Sequence, residues 1–514
     1  MERLNRPLLW TAIPAAGSFL ALVSLTVRYD AFAVLVLGLL LAAALAMLWW
    51  PEMATLAVVG ILYANLAALA VHKYGVNELV AGSVALVLGI PLAHFLLVQR
   101  QGLRIDRTFL LLLALLVCML ISSLFARNPG IALQRIGEFL LEGVALYFLV
   151  LNAIRNLTTL KRVMRVLMLT AALLGSLSLY QGITRSYGNE FWGLAQRTLE
   201  LELAERTDSG NTQIGRKEPA VRLADRAGGP IGDPNRYAQN LMIVLPFAVF
   251  LFWDERRFTR RLTAVVAAGL ILCGVLLTYS RGAFVTMVGL LVLMVFLRYI
   301  RPAHFLGAVV ALLLLIAAAA PAYYKRMETM LGVQGLFAPE SGARPDAVTR
   351  RRTTEMLAAL KVFVDHPLFG VGPGQYMPFY AGTYQRSIDI ALQHIGKPRR
   401  AHNLYFEMAA ETGLVGLGMF LVIVFLLLRQ LARARRRWAR GRPDLANLAT
   451  VFLFSLLAYL GTAVFLHLSF ERYYWLLVAL ASVALRIGLQ GEQGGGARRL
   501  VSSPDRAVPC RISH

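Results

Sequence analysis

Apolar runs of about 17 to 25 residues, each long enough to cross a bilayer as a helix, recur along this chain. They begin near Leu8, Ala31, Met53, Leu79, Phe109, Phe139, Val163, Ala238, Leu262, Gly282, His304, Leu414, Ala446 and Tyr474. That spacing predicts an all-α, polytopic transmembrane bundle of about 12 to 14 spans. Composition agrees, because 514 residues that are 58% hydrophobic and only 16% charged lie outside the range of soluble domains. The 52 Lys and Arg against 29 Asp and Glu fall in short clusters between apolar runs, which is a topology signal rather than a nucleic-acid surface. Arg3 and Arg6 precede the first run as in a signal sequence, and the further spans favour a retained first helix. Cys118 and Cys273 lie inside apolar runs and Cys510 in the tail, a pattern with no disulfide framework or metal-ligand spacing.

Basic clusters set the expected orientation. Arg100, Arg104 and Arg107, then Arg155, Lys161 and Arg162, then Arg256, Arg257, Arg260 and Arg261, then Arg298 and Arg301, and finally Arg429 to Arg442 all fall on one side of the alternation, which should be the cytoplasm. The Arg429–Arg442 run reads as an orientation signal against anionic lipid. Both termini share that side. The expected divisions are N-terminal spans over 1–181, an extracytoplasmic connection over 182–237, central spans over 238–323, a larger extracytoplasmic connection over 324–402, C-terminal spans over 403–489 and a disordered cytoplasmic tail over 490–514.

Connections of such length in a compact membrane protein are usually functional. In the first, Thr198 to Leu203 alternates polar and apolar, a strand pattern, and Asp208-Ser-Gly-Asn211 supplies a turn for a small hairpin. It closes on Arg226-Ala-Gly-Gly-Pro-Ile-Gly-Asp233-Pro-Asn235-Arg236, whose glycines and prolines force tight backbone against the next span. The second predicts an amphipathic helix over about 350–364 with Met356, Leu360 and Phe363 on one stripe, stopped at Asp365-His366-Pro367. Gly370-Val-Gly-Pro-Gly374 follows as a turn and lacks the Lys-Ser/Thr ending and the preceding strand of a nucleotide-binding loop.

Chemistry concentrates in Arg400 to Gly416, where His402 and Glu407 stand at the mouth of a span with Asn403 between them. In one continuous helix they would lie roughly one and a half turns apart, a titratable pair suited to acid or base work at a membrane surface. The bland reading is a polar helix start with an interfacial histidine. The same face receives Arg352, the Arg226–Arg236 segment and the Tyr279-Ser280-Arg281-Gly282 junction. Arg281 sits between two apolar runs with no loop around it, and must either snorkel to the interface or meet an anion. Arginines converging on a cleft there would suit a diphosphate.

Taken in order, Arg226 to Asn235, Tyr279-Ser-Arg-Gly282, Arg352 ahead of Asp365-His-Pro-Leu-Phe-Gly-Val-Gly-Pro-Gly374, and His402-Asn-x-x-x-Glu407 with Gly413 and Gly416 resemble the bacterial O-antigen ligase and O-antigen polymerase superfamily over about residues 220–420. The resemblance implies an inverting, metal-independent glycosyltransferase with no cofactor. It would take glycan from an undecaprenyl diphosphate carrier to lipid A-core or a growing glycan, in lipopolysaccharide or other polysaccharide biosynthesis at the periplasmic face of the inner membrane. It implies Arg281 and Arg352 on the diphosphate and His402, with Glu407, as base or orienter for the acceptor hydroxyl. Arg226, Asn235, Arg236 and Asn403 would line the site, and Arg350 and Arg351 flank Arg352. Polymerase and protein-glycosylating relatives share these motifs. A transporter of lipid-linked glycan is the reading from another class; it expects ionisable groups at mid-membrane, for which Glu142 is the main candidate.

Overall fold

The computed structural model describes residues 47, 49–77, 82–202, 221–299, 303, 306, 307, 310, 347–388, 399–467 and 472–501. The runs expected at Leu8 and Ala31, most of the run at His304, and the turn Asp208 to Asn211 lie outside the described residues.

Every other expected run lies on an apolar helix, and the fold is an all-α polytopic bundle. Among the described residues seven helices are long and apolar enough to span by themselves. They are α5 (Pro129–Ala153), α6 (Leu157–Thr184), α7 (Pro234–Asp254), α8 (Phe258–Leu277), α11 (Leu404–Trp438), α12 (Pro443–Ala463) and the first part of α13 (Arg472–Val501). A bent pair, α1 (Pro51–Tyr63) and α2 (Leu66–Tyr74), meets at 55°. Three shorter apolar helices complete the set: α3 (Val84–Val98), α4 (Arg107–Ser123) and α9 (Arg281–Phe296). Where the sequence suggests a disordered tail, α13 continues to Val501.

Short polar side chains fix where these helices begin, because the first N–H groups of a helix lack intrahelical partners. Asp106 caps α4, Asn128 caps α5 and Asn156 caps α6. Asp233 caps α7 ahead of Pro234, Ser280 caps α9 and Asn403 caps α11. In lipid the hydrophobic effect does not draw helices together, so close backbone approach must. Gly175 of α6 faces α8 so tightly that a Cβ there would stand 2.3 Å from the Leu270 carbonyl oxygen.

The basic connections gather at one end of the bundle. Arg155 donates to Gln101 (2.9 Å), Lys161 pairs with Asp254 (2.7 Å), and Arg435 lies over the Tyr299 ring (3.6 Å). At the opposite end stands an antiparallel hairpin of β1 (Gln196–Glu202) and β2 (Val221–Gly229). Its first strand sits where alternation predicts it, while its second absorbs the start of the Arg226 segment. Gly229 ends that strand at φ +57°, against the ring of Tyr237, where any side chain would collide.

The helix expected over 350–364 is α10 (Ala347–Asp365). Its buried stripe is rotated from the expected one: Thr354, Glu355, Ala358, Ala359 and Val362 face inward, whereas Leu360 is 36% exposed. Small alanines admit α11 at close range, and the larger Met356, Leu360 and Phe363 are left on the flanks.

Gly413 breaks α11 at φ +64°, ψ −164°. The segment 367–374 repairs the break with its own backbone. Val371 and Gly372 N–H donate to the carbonyls of Ala410 (3.0 Å) and Glu411 (2.9 Å), and the N–H groups of Leu414 and Val415 donate to Pro367 O (2.7 Å) and Leu368 O (3.2 Å). Ser122 of α4 adds its hydroxyl to Phe369 O and Glu411 O. The glycine cluster thus closes a discontinuous helix at membrane depth, where open backbone groups are costly, and its N–H groups at Val371 and Gly372 are already used.

Candidate active site

His402 immediately precedes the Asn403 cap, in the left-handed region at φ +48°, so it stands outside the helix that carries Glu407. The one-and-a-half-turn relation between the two therefore does not hold, and Glu407 turns away from the imidazole. Its carboxylate accepts from the Arg400 guanidinium (Nε, 2.7 Å) and from the Ala401 N–H (3.0 Å), which fixes the loop leading into His402.

A different acid faces the histidine. Glu355 of α10, 0% exposed, brings Oε2 to 3.6 Å from His402 Nε2, too long for a hydrogen bond and an ion pair only when the imidazole is protonated. Such contacts in a substrate-free enzyme often tighten when substrate binds. Tyr376 holds α10 in place by donating to the Glu355 carbonyl (3.0 Å). Burial, and next the charge of Glu407, push the Tyr376 phenol well above its usual range, so it stays a donor.

The other flank of His402 is His467, ring to ring at 5.0 Å and nearly perpendicular. His467 Nε2 lies 2.8 Å from Arg236 Nη2. A guanidinium can only donate, so Nε2 accepts and Nδ1 carries the proton. Burial first, then the charges of Arg400, Arg236, His402 and Arg135, hold His467 well below the usual histidine range. Its Nδ1–H is buried and finds no acceptor among the described residues.

Arg236 also borders a cavity of about 230 Å³, walled further by Asn65, Gln239, Asn240, Tyr459 and Arg472. Arg472 Nη1 pairs with Glu142 Oε1 at 3.1 Å. Glu142 is thus a partnered acid.

Arg226 is held by structural partners. Arg226 donates to Thr278 O (2.8 Å) and to Asn235 Oδ1 (3.0 Å), and Ser280 donates its hydroxyl to the same Asn235 oxygen (2.9 Å). This knot joins the starts of α7 and α9 and fixes the base of Arg281, which stands half-buried in the first turn of α9. Asn403, besides capping α11, donates to Val464 O (3.0 Å), tying His402 to the end of α12. Arg352 is half-buried and lies three residues before Glu355, on the same face of α10.

The starts of α7, α9 and α11 are therefore linked through Asn235–Ser280 and Arg236–His467–His402 at the end of the bundle opposite the basic connections. Helix N-termini favour negative charge, and so do the arginines around them. Sequence reasoning missed Glu355, His467, Arg400 and Arg472. Among the described residues no three His, Cys, Asp or Glu side chains converge as metal ligands do. No curated protein matches the chain. Residues 266–421, which carry Arg281, Arg352, Glu355, His402 and Glu407, match the family model described as O-antigen ligase, a match that supports a place for the chain in the O-antigen ligase and polymerase superfamily.

Proposed function

We propose that the chain transfers a glycan from undecaprenyl diphosphate to an acceptor hydroxyl, lipid A-core in the ligase reading, at the periplasmic face of the inner membrane. The family is one of membrane glycosyltransferases of ligase and polymerase type. The observation that carries the finer reading is the buried Glu355 carboxylate behind His402, within the matched segment. A sugar hydroxyl is a poor nucleophile at neutral pH, and a base backed by an anion can accept its proton as the new bond forms.

In this scheme His402 removes the hydroxyl proton while the acceptor oxygen attacks the anomeric carbon. The bond from that carbon to the diphosphate oxygen breaks, and its electron pair leaves with the lipid diphosphate. A single displacement inverts the anomeric centre. Arg281 and Arg352 take the growing charge, since guanidinium binds phosphate oxygens bidentately. Glu355 stabilises the imidazolium as it forms. Glu407 and Arg400 act at one remove, by shaping the loop that aims His402. Sidedness follows from the basic connections, which by the positive-inside rule belong in the cytoplasm, with both termini.

The test is in vitro transfer from an undecaprenyl-diphosphate-linked glycan by purified His402→Ala, with donor binding measured in parallel and chelator present throughout. A rate loss of about 10²- to 10⁴-fold with donor binding intact is the expected result. Retention of most of the rate would move the base elsewhere, and loss of donor binding would place His402 on the diphosphate. In a null strain, accumulated long lipid-linked polymer marks a ligase, and attached single repeats mark a polymerase.

A further inference from the structure

The end of the bundle opposite the transfer site holds a second concave feature. A cavity of about 380 Å³ opens between the start of α1, the end of α3 and the α5–α6 junction, with Glu52, His94, Gln101, Arg104 and Arg155 in its wall. Arg155 is only 9% exposed. Its Nε donates to Asn152 O (3.0 Å), its Nη1 to Gln101 Oε1 (2.9 Å), and its plane lies 4.5 Å from the Phe95 ring centre. Nη2 is buried with no partner among the described residues.

Arg104 is held beside it by the backbone. Asn152 accepts from Arg104 N–H (2.8 Å) and donates to Arg104 O (3.0 Å), so the backbone that carries this guanidinium is fixed at the cavity wall. Arg486 of α13 stands outside the cavity wall but close enough to act on both charges, and its Nη1 is buried with no partner among the described residues. Burial, then Arg155, then Arg486 bring Arg104 down to about 10, and burial followed by Arg486 lowers Arg155. The acid in the wall does not neutralise the trio: Glu52 is engaged by Arg162 and by the Thr159 hydroxyl (2.7 Å).

Three guanidinium groups that repel one another, with buried donors left over, call for an anion between them. The leftover N–H groups belong to different arginines, so an anion with several oxygens, such as a phosphate, could take more than one of them. Basic pockets between spans on this side of membrane proteins are suited to phosphorylated headgroups.

We propose that Arg104, Arg155 and Arg486 form an anion site for a phosphate group, carried either by a phospholipid headgroup or by a small soluble phosphate compound. The site is separate from the transfer chemistry. Occupied, it cancels the repulsion among the α3–α4 connection, the α5–α6 junction and α13 and locks that end of the bundle.

The test uses the full-length protein in neutral detergent, with thermal melting and native mass spectrometry. The probes are phosphatidylglycerol, diacylglycerol as its phosphate-free counterpart, and inorganic phosphate. Phosphatidylglycerol should raise the melting temperature and stay bound, diacylglycerol should do neither, and Arg155→Gln with Arg486→Gln should weaken binding roughly tenfold. Inorganic phosphate that stabilises and displaces the lipid assigns the site to a soluble compound, whereas lipid binding alone assigns it to the headgroup. Arg486→Gln by itself should melt higher than wild type without anion, because one repelling charge is gone, and lower than wild type with phosphatidylglycerol. A merely structural arginine would not give that crossover, and the single variant keeps the test decisive should the double variant fail to fold. Equal binding by wild type and both variants, or none by any, overturns the proposal.

Discussion

Replacing Glu355 by Gln isolates the charge behind His402 while keeping the shape of the side chain. Two unit charges separated by 3.6 Å attract by about 4 to 5 kcal/mol at an effective dielectric constant near 20. That attraction is at full strength only when His402 holds the acceptor proton, so it stabilises the transition state more than the ground state. Glutamine leaves a dipole in place, and part of the loss is recovered. A fall in kcat of about 10²- to 10³-fold is expected, equivalent to about 2.7 to 4 kcal/mol, with KM for the donor nearly unchanged. Stability should not suffer, since a fully buried carboxylate exchanged for an amide removes a costly charge. The assay is transfer by purified protein under saturating donor, with thermal melting of each variant. Should kcat stay within about threefold of wild type, or should donor affinity fall as far as kcat does, Glu355 is not the partner of the base.

Arg281→Lys keeps the charge but not the planar fork, and transfer should drop markedly with donor KM raised; unchanged kinetics would return Arg281 to an interfacial anchor. His467 binds its proton less readily folded than unfolded, so the unfolded chain takes up protons first as pH falls. Stability is complete above about pH 6.5 and declines below it, by about 1.4 kcal/mol per pH unit while the native ring stays neutral. Melting curves of His467→Gln should lose that slope, and an identical slope would assign it to another group. Gly413→Ala should lower stability or yield severely, because its Cβ would stand 2.3 Å from Leu368 O at a backbone angle only glycine adopts easily. Gly418→Ala, five residues along the same helix with nothing within 4 Å, should be neutral in the same melting assay.

The spans were legible because their signal is local: run length marks each helix, and Asp106, Asn128, Asn156, Asp233, Ser280 and Asn403 mark where helices start. His402 was legible for the same reason, as a titratable group at a span mouth. Glu355 was not, because a polar residue in an amphipathic pattern reads as the wet side, and only the approach of α11 onto Ala358 and Ala359 turns that side inward. His467 hides at the end of an apolar run, and the tie to Arg236 that gives it a role comes from a residue 231 positions away. The helical spacing of Glu407 from His402 does not apply, because the helix begins at Leu404, after the histidine. The hairpin's second strand was obscured by Gly228 and Gly229, which read as a turn.

The backbone splice at Gly413 bears on which length changes the chain can tolerate over evolutionary time. Residues 367–374 pair with both sides of the break through main-chain atoms at four points, so their spacing is fixed although many of their side chains are interchangeable. One residue inserted there would shift every donor past its acceptor, much as a missing tooth throws a gear train. Residues 400–416 are tied as firmly, Ala401 N–H donating to Glu407 and Asn403 to Val464 O, so homologues should hold both 367–374 and 400–416 at constant length.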